Sequence, residues 1–168
     1  MSSTSAHSLI TEVFWQPRNS WRAVNLLHRV AAYAAEMEGF TQGRLSIAAV
    51  GATAMATLHE RYLGKSGPTD VLSFDLDTDR SCGRIEGEIV VCTDIARRRA
   101  AQRNRSLQAA RAELALYVVH GILHLAGYDD HAPGASRRMH LREDDILCCL
   151  NLGPVYRVGL PSASAGNF

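Results

Sequence analysis

The chain is short of most features that would make its class obvious. No apolar run approaches the ~20 residues that cross a bilayer. The opening Met1–Ser8 lacks the basic and apolar regions of a signal peptide, so a cytoplasmic protein without membrane contact is expected. There are four cysteines and no Cys-x-x-Cys; Cys148 and Cys149 are adjacent and would face different directions on a helix. Disulfides and a cysteine zinc site are both disfavoured, and free thiols in a reducing compartment are expected. With a net charge of only +1 the molecule is no polycation. No repeat or linker breaks the chain, so residues 1–168 are expected to form one domain, with 1–8 and 161–168 as flexible tails.

What is present concentrates in residues 120–131, His-Gly-Ile-Leu-His-Leu-Ala-Gly-Tyr-Asp-Asp-His. His120 and His124 are four apart, so on a helix they share one face and can grip one cation. Gly127 permits a turn that would bring Asp130 or His131 back as a third ligand. Three protein ligands leave a coordination position open, as catalytic metals require. Zinc proteases of the His-Glu-x-x-His type carry a general base directly after the first histidine. Here that position is Gly121, so the metal geometry resembles a protease and the acid–base chemistry does not.

Two further segments carry a family resemblance. Gly64-Lys65-Ser66-Gly67-Pro68-Thr69-Asp70-Val71-Leu72-Ser73-Phe74, followed by Gly87-Glu88-Ile89-Val90-Val91 and then by the histidine segment, resembles the YbeY family of bacterial endoribonucleases. The resemblance runs from about Ile47 to about Leu150. It implies a single-strand-specific, metal-dependent endoribonuclease of ribosomal RNA processing, acting in 16S rRNA maturation and ribosome quality control. It also implies one zinc ion, with other divalent metals open, and ribosomal RNA and the small ribosomal subunit or its proteins as partners; no DNA is expected. The rival readings are a non-catalytic small-subunit assembly factor with a structural metal, and a zinc-dependent hydrolase of another substrate such as a peptide.

The chain departs from the family pattern twice. Where the family carries its third metal-binding histidine, this chain has Asp130, and His131 follows. Counting on without a gap puts Met139, Glu143, Ile146 and Leu150 in register with the family's last helix, which favours Asp130 as third ligand and leaves His131 as the alternative. Where the family shows an arginine linked to catalysis or RNA contact, this chain has Leu63, with Arg61 and Lys65 on either side. No catalytic residue is therefore assigned; the attacking group is metal-activated water or the ribose 2′-hydroxyl. Asp129 has two open roles, holding a ligand histidine or capping the turn.

Between Arg97 and Arg111 stand six arginines and no acid. Arg97, Arg98, Arg99, Arg103 and Arg105 are the candidate RNA contacts, because such a run binds phosphates with an affinity that falls as salt rises.

Hydrophobic patterning gives an α+β organisation. Strands are expected at 9–15, 44–50, 69–76 and 85–92, with 77–84 as a hairpin-like connection. Helices are expected at 21–37, 52–63, 94–103 (capped or opened by Asp94), 107–126 (capped by Ser106) and from 134 or 135 to 150. The resemblance independently implies a small, mostly four-stranded sheet packed with about five helices, the metal-binding helix near the core.

Overall fold

The computed structural model describes residues 8–18, 21–103 and 106–156, and the side chain of Arg103 lies outside that description. Apart from Ser8, the expected tails fall outside it too, as does Arg105. Four strands, β1 (Leu9–Trp15), β2 (Gln42–Val50), β3 (Val71–Asp75) and β4 (Arg84–Cys92), form one sheet in the order β1-β2-β4-β3. β1, β2 and β4 run parallel, and β3 closes one edge antiparallel to β4, with Ser73 opposite Ile89.

Among the described residues, five helices surround the sheet: α1 (Val24–Met37), α2 (Ala52–Leu63), α3 (Thr93–Arg103), α4 (Leu107–Leu125) and α5 (Pro133–Cys149). The α+β class and the four-strand, five-helix count agree with the sequence reading. The differences are local. α1 begins at Val24 rather than Trp21, because Trp21 and Ala23 are buried in the core ahead of the first turn. The 77–84 connection contains one 3-10 turn, Arg80–Cys82, which the Asp79 carboxylate caps and Gly83 closes. Asp94 lies in the first turn of α3, yet its carboxylate accepts a 2.7 Å bond from the Ala52 amide and so caps α2, whose own N-cap is the side-chain-free Gly51. Ser106 caps α4 as expected, accepting from the Ala109 amide at 3.0 Å.

Alternation along β2 and β4 turns Leu45, Ile47, Ala49, Ile85, Ile89 and Val91 to one face, all fully buried. α1 covers the β1 side of that face, and α4 lies over β3 and β4 between α1, α3 and α5. α4 is consequently apolar almost all round, with Leu114, Val118, Val119, Ile122 and Leu123 at zero exposure. Gly121 sits on its sheet side. A Cβ there would stand 2.9 Å from two side-chain carbons of Ile89, so the helix approaches the sheet more closely than any other residue would allow. Among the described residues, no helix is long and apolar enough to cross a membrane.

Candidate metal centre

The last turns of α4 present His120 and His124 on one face, where α5 brings Glu143 up to His120. α4 ends in a Schellman-type turn: the Gly127 amide donates to His124 O and the Tyr128 amide to Leu123 O, both at 2.9 Å, with Gly127 at φ +87°. The Arg80 guanidinium donates to the terminal carbonyl of Ala126, and Arg80 in turn sits 3.9 Å from the buried carboxylate of Glu38. Arg142 holds the same carboxylate at 2.7 Å. This support fixes the segment that carries Asp130.

Each imidazole is held from behind. His120 Nδ1 is 2.7 Å from Oε1 of Glu143, whose side chain is fully buried on α5. His124 Nδ1 is 3.2 Å from the Tyr128 carbonyl. Both partners are acceptors, so both Nδ1 atoms carry the proton in the neutral rings, leaving the Nε2 lone pairs free. Those two Nε2 atoms face each other at 3.0 Å. Two lone pairs that close repel unless a cation or a proton lies between them. Oδ2 of Asp130 completes the group at 3.8 Å from each Nε2. Ligand atoms around a tetrahedral zinc bound at ~2.05 Å stand ~3.4 Å apart. The separations of 3.0, 3.8 and 3.8 Å bracket that value, and the nitrogen and carboxylate donors suit the ion, so the residues fit a divalent metal.

The electrostatics divide the two rings. Burial disfavours the charged form of His120, but the Glu143 hydrogen bond and charge outweigh it and leave its pKa above the ordinary value. Burial and the neighbouring His120 push His124 below the ordinary value, which keeps it neutral. The three side chains are partly exposed, at 21%, 27% and 36%, so a further ligand has access.

His131 lies on the solvent side of Asp130, its Nδ1 3.4 Å from Asp130 Oδ1. Its side chain is 88% exposed and pairs with Asp129 Oδ1 at 2.6 Å, which raises its pKa through that hydrogen bond and the adjacent charge. Asp129 accepts the His131 amide at 3.0 Å as well, so it braces the turn and holds the His131 ring. Asp129, Asp130 and His131 do bring ligand atoms within 4.8 Å of one another, on the solvent side. Leu63, the last residue of α2, is exposed, and Arg61 lies with its guanidinium carbon 5.7 Å from the Tyr62 ring centre. Of the arginine run, Arg97, Arg98 and Arg99 are exposed on α3, but Arg99 binds Asp70 at 2.9 Å and is committed to joining α3 to the start of β3. The sequence shows Glu143 in register on the last helix but not its contact with His120. Glu38 and Arg80 carry no sequence pattern that marks them. A carboxylate on an otherwise core-facing side of α5, between Met139 and Ile146, was the available signal.

Fold and site together define a small α+β protein with a three-ligand candidate metal centre at the end of its central helix. Residues 16–151 match the profile of a family described as Endoribonuclease YbeY. A protein of that name from Anaeromyxobacter sp. (strain Fw109-5) is 39% identical over 150 residues, covering 89% of this chain and 76% of the relative. Another, from Frankia casuarinae, is 41% identical over 113 residues, covering 61% of this chain but only 55% of that protein. A solution structure from Thermotoga maritima superposes with a TM-score of 0.57 at 23% identity, over 84% of this chain and 92% of that one, and shares the fold. The chain belongs to the YbeY family.

Proposed function

We propose that this chain is a metal-dependent endoribonuclease that cuts single-stranded ribosomal RNA in the cytoplasm, in 16S rRNA maturation and ribosome quality control. The observation that carries the reading is the pair of Nε2 atoms facing each other at 3.0 Å while both Nδ1 atoms are held by acceptors. His120, His124 and Asp130 would hold one divalent ion, zinc on the chemistry of the donors. When bound, that ion supplies Lewis acidity to a phosphate oxygen and lowers the pKa of water. Glu143 orients His120, the Gly127 turn orients His124, and the partial exposure of all three ligands admits a phosphodiester. Arg97 and Arg98, exposed and without an ion pair among the described residues, are available to substrate phosphates, and the small ribosomal subunit is the expected setting.

The test is cleavage of a small-subunit ribosomal RNA precursor by the purified protein, beside a His124→Ala variant and a chelated sample. Cutting that vanishes in both controls while His124→Ala stays folded supports the reading. One observation favours a second reading. The position after His120 is closed to a carboxylate by Ile89, and the family arginine is replaced by the exposed Leu63, so neither position supplies a group for the bond-breaking step. An assembly factor with a structural metal would bind the RNA without cutting it, and His124→Ala would then lose fold stability.

A further inference from the structure

A groove of about 580 Å³ lies between the start of α1 and the start of α4. Arg22, Arg29 and Arg111 line it together with Asn25 and Gln108, and no carboxylate does. Arg22 and Arg29 are exposed, Arg111 is half-buried, and none of the three has an ion pair among the described residues. Three like charges in one concave surface repel, and low-dielectric walls focus their field, so an anion is the natural occupant. α1 adds to this. Its first turn, Val24 to Leu26, faces the same groove; its N-cap is Ala23, which offers no capping side chain, and no acid lies in its first turn. Free amides at a helix start favour an anion, and guanidinium forks match phosphate oxygens in pairs.

The groove is remote from the candidate metal centre. Arg111 and His120 are nine residues apart on α4, ~14 Å along the axis and about two and a half turns round, so they emerge on opposite sides of the helix. The groove arginines therefore cannot touch a phosphate held at His120 and His124. Arg97 lines a smaller groove against Ser106, Leu107 and Ala110, so positive surface continues past the start of α4. Arg22 and Arg29 reach this surface only through the fold, since they stand 75 and 68 residues before Arg97, the start of the arginine-rich run.

We infer that the Arg22–Arg29–Arg111 groove grips backbone phosphates of single-stranded RNA at a distance from the cut, an inference that rests on the proposed ribonuclease reading. The contribution is to affinity, not to bond breaking. Binding of a labelled single-stranded RNA is measured by anisotropy between 50 and 300 mM salt for the full chain and for the triple variant Arg22→Gln, Arg29→Gln, Arg111→Gln. Arg44→Gln, an exposed arginine on β2, serves as control. Each lost phosphate contact on a single strand lowers the slope of log affinity against log salt by about 0.7, so the triple variant should lose about 2, equivalent to roughly 50-fold at 0.15 M salt. The control should lose no more than a small fraction of this, and thermal unfolding should be unchanged in both. A triple variant with the control's slope overturns the inference while leaving the ribonuclease reading intact. No RNA binding by the full chain overturns both. Loss of binding to phosphatidylserine vesicles without loss of RNA binding overturns it in favour of a membrane surface.

Discussion

Glu143→Gln isolates the charge behind His120. Glutamine keeps the length of the side chain and an oxygen that can accept from Nδ1, and removes only the negative charge. At 2.7 Å and full burial, the existing bond is of the charge-assisted kind. Such bonds contribute about 1.5–3 kcal/mol against roughly 0.5–1.5 for neutral ones, a difference of about 1.4 kcal/mol or tenfold in metal affinity. The pH dependence carries the sharper test. Glu143 holds the His120 pKa above its ordinary value, so in the parent protein a proton competes with the metal as pH falls. Removing the charge weakens the ligand but also relieves that competition. Zinc affinity by chelator competition should therefore be about tenfold lower at pH 8, with the gap narrowing toward pH 6. The metal-free protein should behave in the complementary sense. A raised folded-state pKa gives stability that is complete below the unfolded value and is lost as pH rises through the folded one. Urea unfolding should thus show Glu143→Gln more destabilised at pH 5.5 than at pH 8. Zinc affinities that match at pH 8, or a deficit that is the same at both pH values, would refute the role given to Glu143.

Three further experiments test the geometry. Asp130→Asn should reduce zinc affinity by more than the roughly 100-fold that an outer partner can contribute, whereas His131→Ala should stay within about threefold; the reverse order in the chelator assay would make His131 the third ligand. Gly121→Ala gains about 1 kcal/mol of helix propensity but meets Ile89, an overpacking of about 1–3 kcal/mol, so a net loss of about 1 kcal/mol is expected. Ile89→Val should recover part of that loss, and strict additivity of the two changes in urea unfolding would show that the contact is not the cause. Asp144→Ala removes a fully buried carboxylate that accepts the Val155 and Tyr156 amides at 2.7 and 3.1 Å. A loss of about 2–4 kcal/mol and faster proteolysis after Leu150 are expected, and an unchanged proteolysis rate would contradict the pinning of this segment.

The legible parts of this protein were those whose cause is local. Helical spacing placed His120 and His124 on one face, Gly127 marked the turn, and Ser106 marked the start of α4; each signal lies within a few residues of its effect. Asp94 shows where local reading ends. Its place at the start of a helix was visible, but the amide it caps belongs to α2, 42 positions earlier. Glu143 is the same case with more at stake, since its partner His120 lies 23 residues away and only the packing of α5 on α4 brings them together. Arg22 and Arg29 carried no pattern until the fold set them beside Arg111.

Gly121 joins the two kinds of information. In the sequence it is a missing base; in the fold it is the contact that seats α4 on β4, with Ile89 where a side chain would go. Metal ligands on a helix are held most rigidly when that helix is buried on its other sides. The same burial removes the neighbouring helix positions from chemistry. In this chain the residue after the first histidine faces a sheet and not the cation, so a proton acceptor cannot be recruited from α4. It must come from the turn that carries Asp130, from the β3 edge, or from a phosphate oxygen of the substrate, and the attacking group, water or the ribose 2′-hydroxyl, has to give up its proton in either case. A substrate with a 2′-deoxy sugar at the cut position separates these cases: resistance would assign the attack to the hydroxyl, and undiminished cutting would return it to water.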